Sequence, residues 1–357
     1  MKKIYKNLKL DGVVTDLLVV DGKIAEIGKF DDEGTDLGGN KVYAGLVDVH
    51  THGNMGNDTM DGNKLHEISE YLAKWGVTSF LPTTMTMGFD LIQSVVNIDI
   101  PETKGAKILG FHLEGPYIAE SRKGAQNKEY IRKPSLKEFE TLKNIRMVTI
   151  APETEGAMEF IEGCKSVVSL GHTDADYATC IEAMEKGAMC LTHTFNAMTP
   201  MHHVNPGPVG AAIEKNIYVQ VICDGTHIHK SVINMLYRTF GKERMVLISD
   251  SMNAAGLEDG IYEFGGQKVR IQNNVARTLE GAVAGSTSNL FKCVKKAIEF
   301  GIPEKDAFEM ASLTPATLIG EKTKGKIAPG MDADFVVVDD ALNPVMTVIA
   351  GEIAARA

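Results

Sequence analysis

Short apolar runs and amphipathic stretches alternate through the middle of the chain. The runs Leu46–Val49, Ser79–Leu81, Ile108–Leu113, Met147–Ile150, Val167–Leu170, Met189–Leu191, Tyr218–Ile222 and Met245–Ile248 have the length and composition of buried strands. Stretches with helical periodicity, such as Leu65–Trp75 and Tyr177–Lys186, lie between most of them. Eight strand-then-helix units over about 280 residues predict an α/β protein with a (β/α)8 TIM-type barrel. A doubly wound sheet gives a similar alternation, and the strand count favours the barrel.

Both ends of the chain follow a different rhythm. The first 45 residues alternate apolar and polar positions, with turns at Asp11-Gly12 and Asp21-Gly22 and strands predicted at Val13–Val20 and Lys23–Gly28. The tail repeats the pattern at Ala333–Val338 and Val345–Ala350. The economical reading is a small β-sandwich domain built from residues 1–45 and 325–357, with the barrel, residues 46–324, inserted between its halves. Residues 257–281 break the barrel rhythm. Gly265-Gly266 and Asn273-Asn274 mark turns there, which predicts an inserted β-hairpin after the eighth strand.

Composition narrows the function classes. Apolar residues make up 44% of 357 positions, enough for a sizeable core. The net charge of -10 argues against a nucleic-acid partner. No run of 18 apolar residues offers a membrane span, and Met1–Asn7 is basic without a following apolar region, so no signal peptide is expected. The five cysteines (Cys164, Cys180, Cys190, Cys223, Cys293) are scattered within apolar segments and form no CxxC pair. They read as buried free thiols of a cytoplasmic protein.

The candidate chemistry sits where the strands end. His50-Thr51-His52 follows the first strand, Glu114-Gly115-Pro116 the third, Gly171-His172-Thr173 the fifth and Thr192-His193-Thr194 the sixth. Asp224-Gly225-Thr226-His227 follows the seventh and Ser249-Asp250-Ser251 the eighth. A lone strand-end histidine is more often a hydrogen-bonded structural residue than a ligand, and a lone aspartate is often a helix cap. Together, at the face where barrel enzymes place their reacting groups, they point to a metal site. His50 and His52, two apart on a strand, face the same side, as do His112 and Glu114. Imidazole and carboxylate without thiolate suit zinc or ferrous iron. Asp250 is the natural proton carrier, and His227 is placed to polarise a carbonyl under attack. His66 reads as an ordinary helical residue and His229 as the start of the next helix.

These residues resemble the amidohydrolase superfamily and, within it, the N-acetylglucosamine-6-phosphate deacetylase family. The strings His112-Leu113-Glu114-Gly115-Pro116, His193-Thr194-Phe195-Asn196-Ala197-Met198 and Asp224-Gly225-Thr226-His227 carry the resemblance, with Gly325–Phe335 resembling the return into the β-domain. It implies a main metal site of Glu114, His172 and His193, and ligands of a second metal in His50 and His52, so one or two divalent ions per subunit. It implies Asp250 as a metal-side catalytic acid and base, and His227 as the residue that holds the substrate carbonyl. Gln126, Asn196 and Ala197 fall at positions of substrate contacts. The expected partner is a small N-acetylated amino sugar, with no nucleic acid and no membrane, in a homodimer or higher homo-oligomer.

Two positions depart from the family pattern. Where members usually carry Lys-Gly-Ala-His, this chain reads Lys123-Gly124-Ala125-Gln126. Where they carry an arginine that reaches a neighbouring subunit's substrate phosphate, it reads His202-His203-Val204-Asn205. Valine cannot replace an arginine–phosphate fork. A substrate without the 6-phosphate, whether another N-acetylated amino sugar or an N-acyl amino acid, is therefore the alternative reading. A non-catalytic scaffold would be expected to have lost ligands, and all six ligand-type positions remain.

Overall fold

The computed structural model describes residues 1–356. Parallel strands at Leu46–Thr51, Val77–Pro82, Ile145–Ile150, Val167–Leu170, Ala188–Leu191, Tyr218–Ile222 and Met245–Ile248 curl into a barrel. The third barrel strand, expected as one piece, comes in two, Lys107–Ile108 and Phe111–Glu114. The first piece pairs with the second strand and the other with the fourth. Gly110, at φ 127°, makes the break, and a Cβ there would lie 2.4 Å from the Arg146 side chain and 2.6 Å from the Asn144 carbonyl. A bridge between Thr83 and His112 rejoins the sheet above it.

The barrel closes between its first and eighth strands. The Asp250 N–H donates to the His50 carbonyl at 2.9 Å, and the His52 N–H donates to the Ser251 carbonyl at 2.8 Å. Beneath this seam lies Asp48, fully buried, which accepts from the Ser249 hydroxyl at 2.5 Å and from the backbone N–H groups of His50 and Ser249, both at 3.3 Å. Burial raises the Asp48 carboxyl to about 6, with the Ser249 hydroxyl pulling the other way.

The outer helices are held by their apolar faces. Leu65–Lys74 buries Leu65, Ile68 and Leu72 on one stripe, leaving His66 outside beside Glu70. Leu290–Glu299 buries Leu290, Phe291, Val294 and Ala297, and the Asn289 side chain caps its start by accepting from the Lys292 N–H at 3.0 Å. His229 caps Lys230–Arg244 in the same manner.

Strands from both ends of the chain share one sheet. Phe335–Val338 pairs antiparallel with Lys41–Ala44, and Lys2–Leu10, Val13–Val20 and Lys23–Gly28 continue beyond it. On the other side lie Pro344–Ile349 and a strand the tail pattern did not announce, Glu352–Arg356. The sheet encloses its own core, in which Tyr5 meets Phe335 edge to face at 5.0 Å and donates its hydroxyl to the Gly351 carbonyl at 3.0 Å. Buried Lys324 ties the last segment down through Asp334 at 2.6 Å and Asp332 at 3.2 Å.

After the eighth barrel strand the chain forms a three-stranded antiparallel meander, Gly260–Phe264, Gln267–Gln272 and Val275–Thr278, one strand more than a hairpin. It leaves from the C-terminal mouth of the barrel and brings Phe264 against His52, with ring centroids 5.4 Å apart. All five cysteines are unpaired and four are buried. No helix among the described residues is long and apolar enough to cross a membrane.

Candidate active site

Three of the six ligand-type side chains reach the barrel mouth by the same backbone device. His172, His193 and Asp250 each follow the end of their strand after one intervening residue and adopt left-handed φ values of 48°, 26° and 47°. A non-glycine residue in that region costs about 1–2 kcal/mol, and such strain concentrates at functional sites. Gly171 allows the fifth strand to run close to the sixth, since a Cβ there would sit 2.6 Å from the Thr192 Cβ. His50, in the strand Leu46–Thr51, and His52, one residue past its end, need no such turn, because the chain stays extended and they face inward together.

These residues converge on Glu114. Its Oε1 lies 3.0 Å from His193 Nε2, 3.2 Å from His172 Nε2 and 3.4 Å from His50 Nε2. Its Oε2 lies 3.3 Å from His52 Nε2. Asp250 Oδ1 is 3.3 Å from His52 and 3.4 Å from His50. All six side chains are buried. Two triads, His50–His52–Glu114 and Glu114–His172–His193, each bring their ligand atoms within 4.8 Å of one another and could hold a metal ion.

The hydrogen bonds around the cluster fit a cation. His50 Nδ1 faces the Gln220 Oε1 at 3.0 Å, His52 Nδ1 the Thr83 carbonyl at 3.2 Å and His172 Nδ1 the Arg122 carbonyl at 2.8 Å. Each of these oxygens can only accept, so the ring must donate from Nδ1. In the neutral ring, Nε2 is then a bare lone pair. All three Nε2 atoms thus face carboxylate oxygen, and His50 Nε2 has no hydrogen-bond partner. Lone pairs and a carboxylate repel one another unless a positive charge stands between them, either a metal ion or, without one, a proton: against the effect of burial, Asp250 and Glu114 raise the pKa of His50, and that of His52 to about 10. Outward N–H donors of this kind are how proteins orient metal-ligating histidines.

Asp250 and His227 stand beside the cluster. Burial opposes charge on Asp250, but the positive charge that His50 and His52 carry when protonated outweighs it and holds the carboxyl at about 2. His227 donates Nδ1–H to Asp224 Oδ2 at 2.8 Å, while Asp224 Oδ1 accepts from the N–H groups of Thr226 and His227 at 2.8 and 3.0 Å. Burial works to lower the His227 pKa, and the Asp224 carboxylate reverses the sign and raises it. The proton on its second nitrogen is thereby favoured, and in the protonated ring Nε2 is a donor. His227, Asp250, Asn196 and Ala197 border one cavity of about 410 Å³ together with Glu114 and Phe264. A larger cavity of about 570 Å³, between the terminal sheet and the barrel, contains none of the ligand-type residues.

Several side chains have employment other than the expected one. His112 faces inward like Glu114 but lies among hydroxyls, 2.8 Å from Thr149 Oγ1, and burial lowers its pKa well below the ordinary range. Gln126, expected against substrate, borders the cavity but has both ends of its amide bound to protein. Asn196 turns its Nδ2 back to the carbonyls of His193 and Thr194 at 3.1 and 3.3 Å. Val204 is 66% exposed on the loop closed by His202 and Asn205. Sequence reasoning passed over Gln220, which fixes the His50 ring, and Asp48, which braces the closing seam. Both are polar residues in the middle of apolar strands, and that was the available signal.

A closed parallel barrel with imidazole and carboxylate groups gathered at its strand ends is the frame of a hydrolytic metal site; residues 42–354 match the amidohydrolase family, and the chain belongs to it. Within that class it falls in the N-acetylglucosamine-6-phosphate deacetylase family. The deacetylase of that name from Bacillus subtilis is 37% identical over 333 residues, 88% of this chain and 84% of the relative. An N-acetylgalactosamine-6-phosphate deacetylase from Escherichia coli O157:H7 is 35% identical over 355 residues, 95% of this chain and 94% of the relative. The crystal structure of the Thermotoga maritima N-acetylglucosamine-6-phosphate deacetylase, 31% identical, superposes with a TM-score of 0.91 over 99% of this chain and 100% of that one.

Proposed function

We propose that this protein hydrolyses the acetamide of N-acetylglucosamine-6-phosphate, giving acetate and glucosamine-6-phosphate. The observation that carries the reading is the gathering of four imidazole Nε2 atoms around Glu114, with ionised Asp250 alongside and the His227–Asp224 pair on the same cavity. Glu114, His172 and His193 would hold one divalent ion, zinc or iron, and His50 and His52 with Glu114 a second. Such an ion supplies Lewis acidity and brings the pKa of water toward neutrality. Asp250, ionised at neutral pH, accepts the proton of the attacking water and returns it to the nitrogen as the C–N bond breaks. His227 donates from Nε2 to the acetyl oxygen as negative charge develops there, and Asp224 keeps the ring in place. His227→Asn is therefore expected to lower kcat by about 10²–10³ with metal content unchanged. Steady-state kinetics beside elemental analysis checks this.

The substrate's phosphate is tested by side-by-side kcat/KM values for N-acetylglucosamine-6-phosphate, N-acetylgalactosamine-6-phosphate and unphosphorylated N-acetylglucosamine. The first is expected to be preferred, and a preference for the unphosphorylated sugar would overturn the assignment. A second reading, a substrate lacking phosphate, draws on the valine at the exposed tip where the family pattern has arginine. Val204→Arg is expected to lower KM for the phosphorylated sugar about tenfold, since a charge-assisted hydrogen bond contributes roughly 1.5–3 kcal/mol. An unchanged ratio between phosphorylated and unphosphorylated sugars would rule out a phosphate contact at that position.

A further inference from the structure

Gln126 is 3% exposed and has no freedom in how its amide is oriented. The Thr86 N–H donates to one end at 2.7 Å, and a backbone N–H can only donate, so that end is Oε1. The other end is then Nε2, which donates to Glu114 Oε2 at 2.7 Å. Glu114 is thereby fixed in rotation, with Oε1 toward His172 and His193 and Oε2 toward His52. The loop that carries Gln126 also supplies the Arg122 carbonyl that accepts from His172 Nδ1. The loop itself is anchored where Gln267 Nε2, from the meander, donates to the Ala125 carbonyl at 2.8 Å.

We infer that Gln126 is the positioning residue of the metal-binding carboxylate, holding Glu114 in the rotation that lets its two oxygens serve both triads. This rests on the reading of Glu114 as a ligand, and not on the identity of the sugar. A neutral imidazole also has one donor and one acceptor, so histidine at this position can accept from Thr86 and donate to Glu114 as the amide does. Leucine can do neither.

The test measures zinc affinity by chelator competition, and zinc stoichiometry by elemental analysis, for the wild type, Gln126→Leu and Gln126→His, with circular dichroism to establish folding. Loss of a hydrogen bond behind a metal ligand weakens metal binding by about 10–100-fold. Gln126→Leu is expected to show that loss, and Gln126→His to stay within a few-fold of wild type. Wild-type affinity in folded Gln126→Leu overturns the proposal, as does an equal loss in both variants. If Gln126→Leu does not fold, Gln126→His decides alone: retained affinity supports the proposal and lost affinity overturns it. A wild type that binds no zinc would overturn the metal reading itself, a different result from zinc binding that is indifferent to position 126.

Discussion

Asp250→Asn is expected to keep its metal and lose about 10²–10⁴ in kcat, the range of a positioned general acid–base. The amide matches the carboxylate in shape but cannot take a proton from water or return one to the departing amine. The fold has little reason to change. The residue's backbone is tied on both sides, by its N–H to the His50 carbonyl at 2.9 Å and by its carbonyl to the Ser286 N–H at 2.7 Å. Zinc content and kcat measured on one preparation separate the two effects. Turnover within a few-fold of wild type would remove Asp250 from the mechanism, and loss of zinc would make it chiefly a ligand.

Glu114→Gln has the second large effect, and its readout is independent of turnover. The substitution keeps volume and removes the charge that both triads share. A ligand that binds only the native state adds about 2.7 kcal/mol at 100 times its Kd. For a chain of this size that corresponds to a rise in Tm of roughly 4 °C. The wild type is expected to gain such a rise with excess zinc and to lose it with a chelator. Glu114→Gln should show neither shift, and zinc analysis should find it empty. A zinc-dependent Tm of wild-type size in Glu114→Gln would place the metal elsewhere.

What the sequence disclosed about the site was side-chain type at strand ends. His50 and His52 could be assigned to one face from period-2 geometry alone, and His172, His193 and Asp250 from their place after apolar runs. The partners that set each ring's tautomer were out of reach, because two of the three are backbone carbonyls, Thr83 and Arg122, which have no signature in sequence. His112 shows the limit of the periodicity argument. It faces inward as expected, but alternation says nothing about depth, and it lies against Thr149. The eight-strand count held, while the break in the third strand had one available sign, Gly110 within an apolar run. The third strand of the meander and Glu352–Arg356 are short and follow other strands closely, so the turn residues before them read as loop ends.

The shared terminal sheet sets the order of events when the chain is made. Lys41–Ala44 emerges early, but its antiparallel neighbour Phe335–Val338 lies about 290 residues later. At 5–20 residues per second, the wait is roughly 15–60 s. Through that time the strand is an open edge, available to any other unpaired strand. It is four residues long and begins with a lysine, two features that discourage mispairing. In the finished protein the same Lys41 is held by Glu304 at 2.8 Å. One side chain thus guards the nascent edge and later helps clasp the sheet to the barrel.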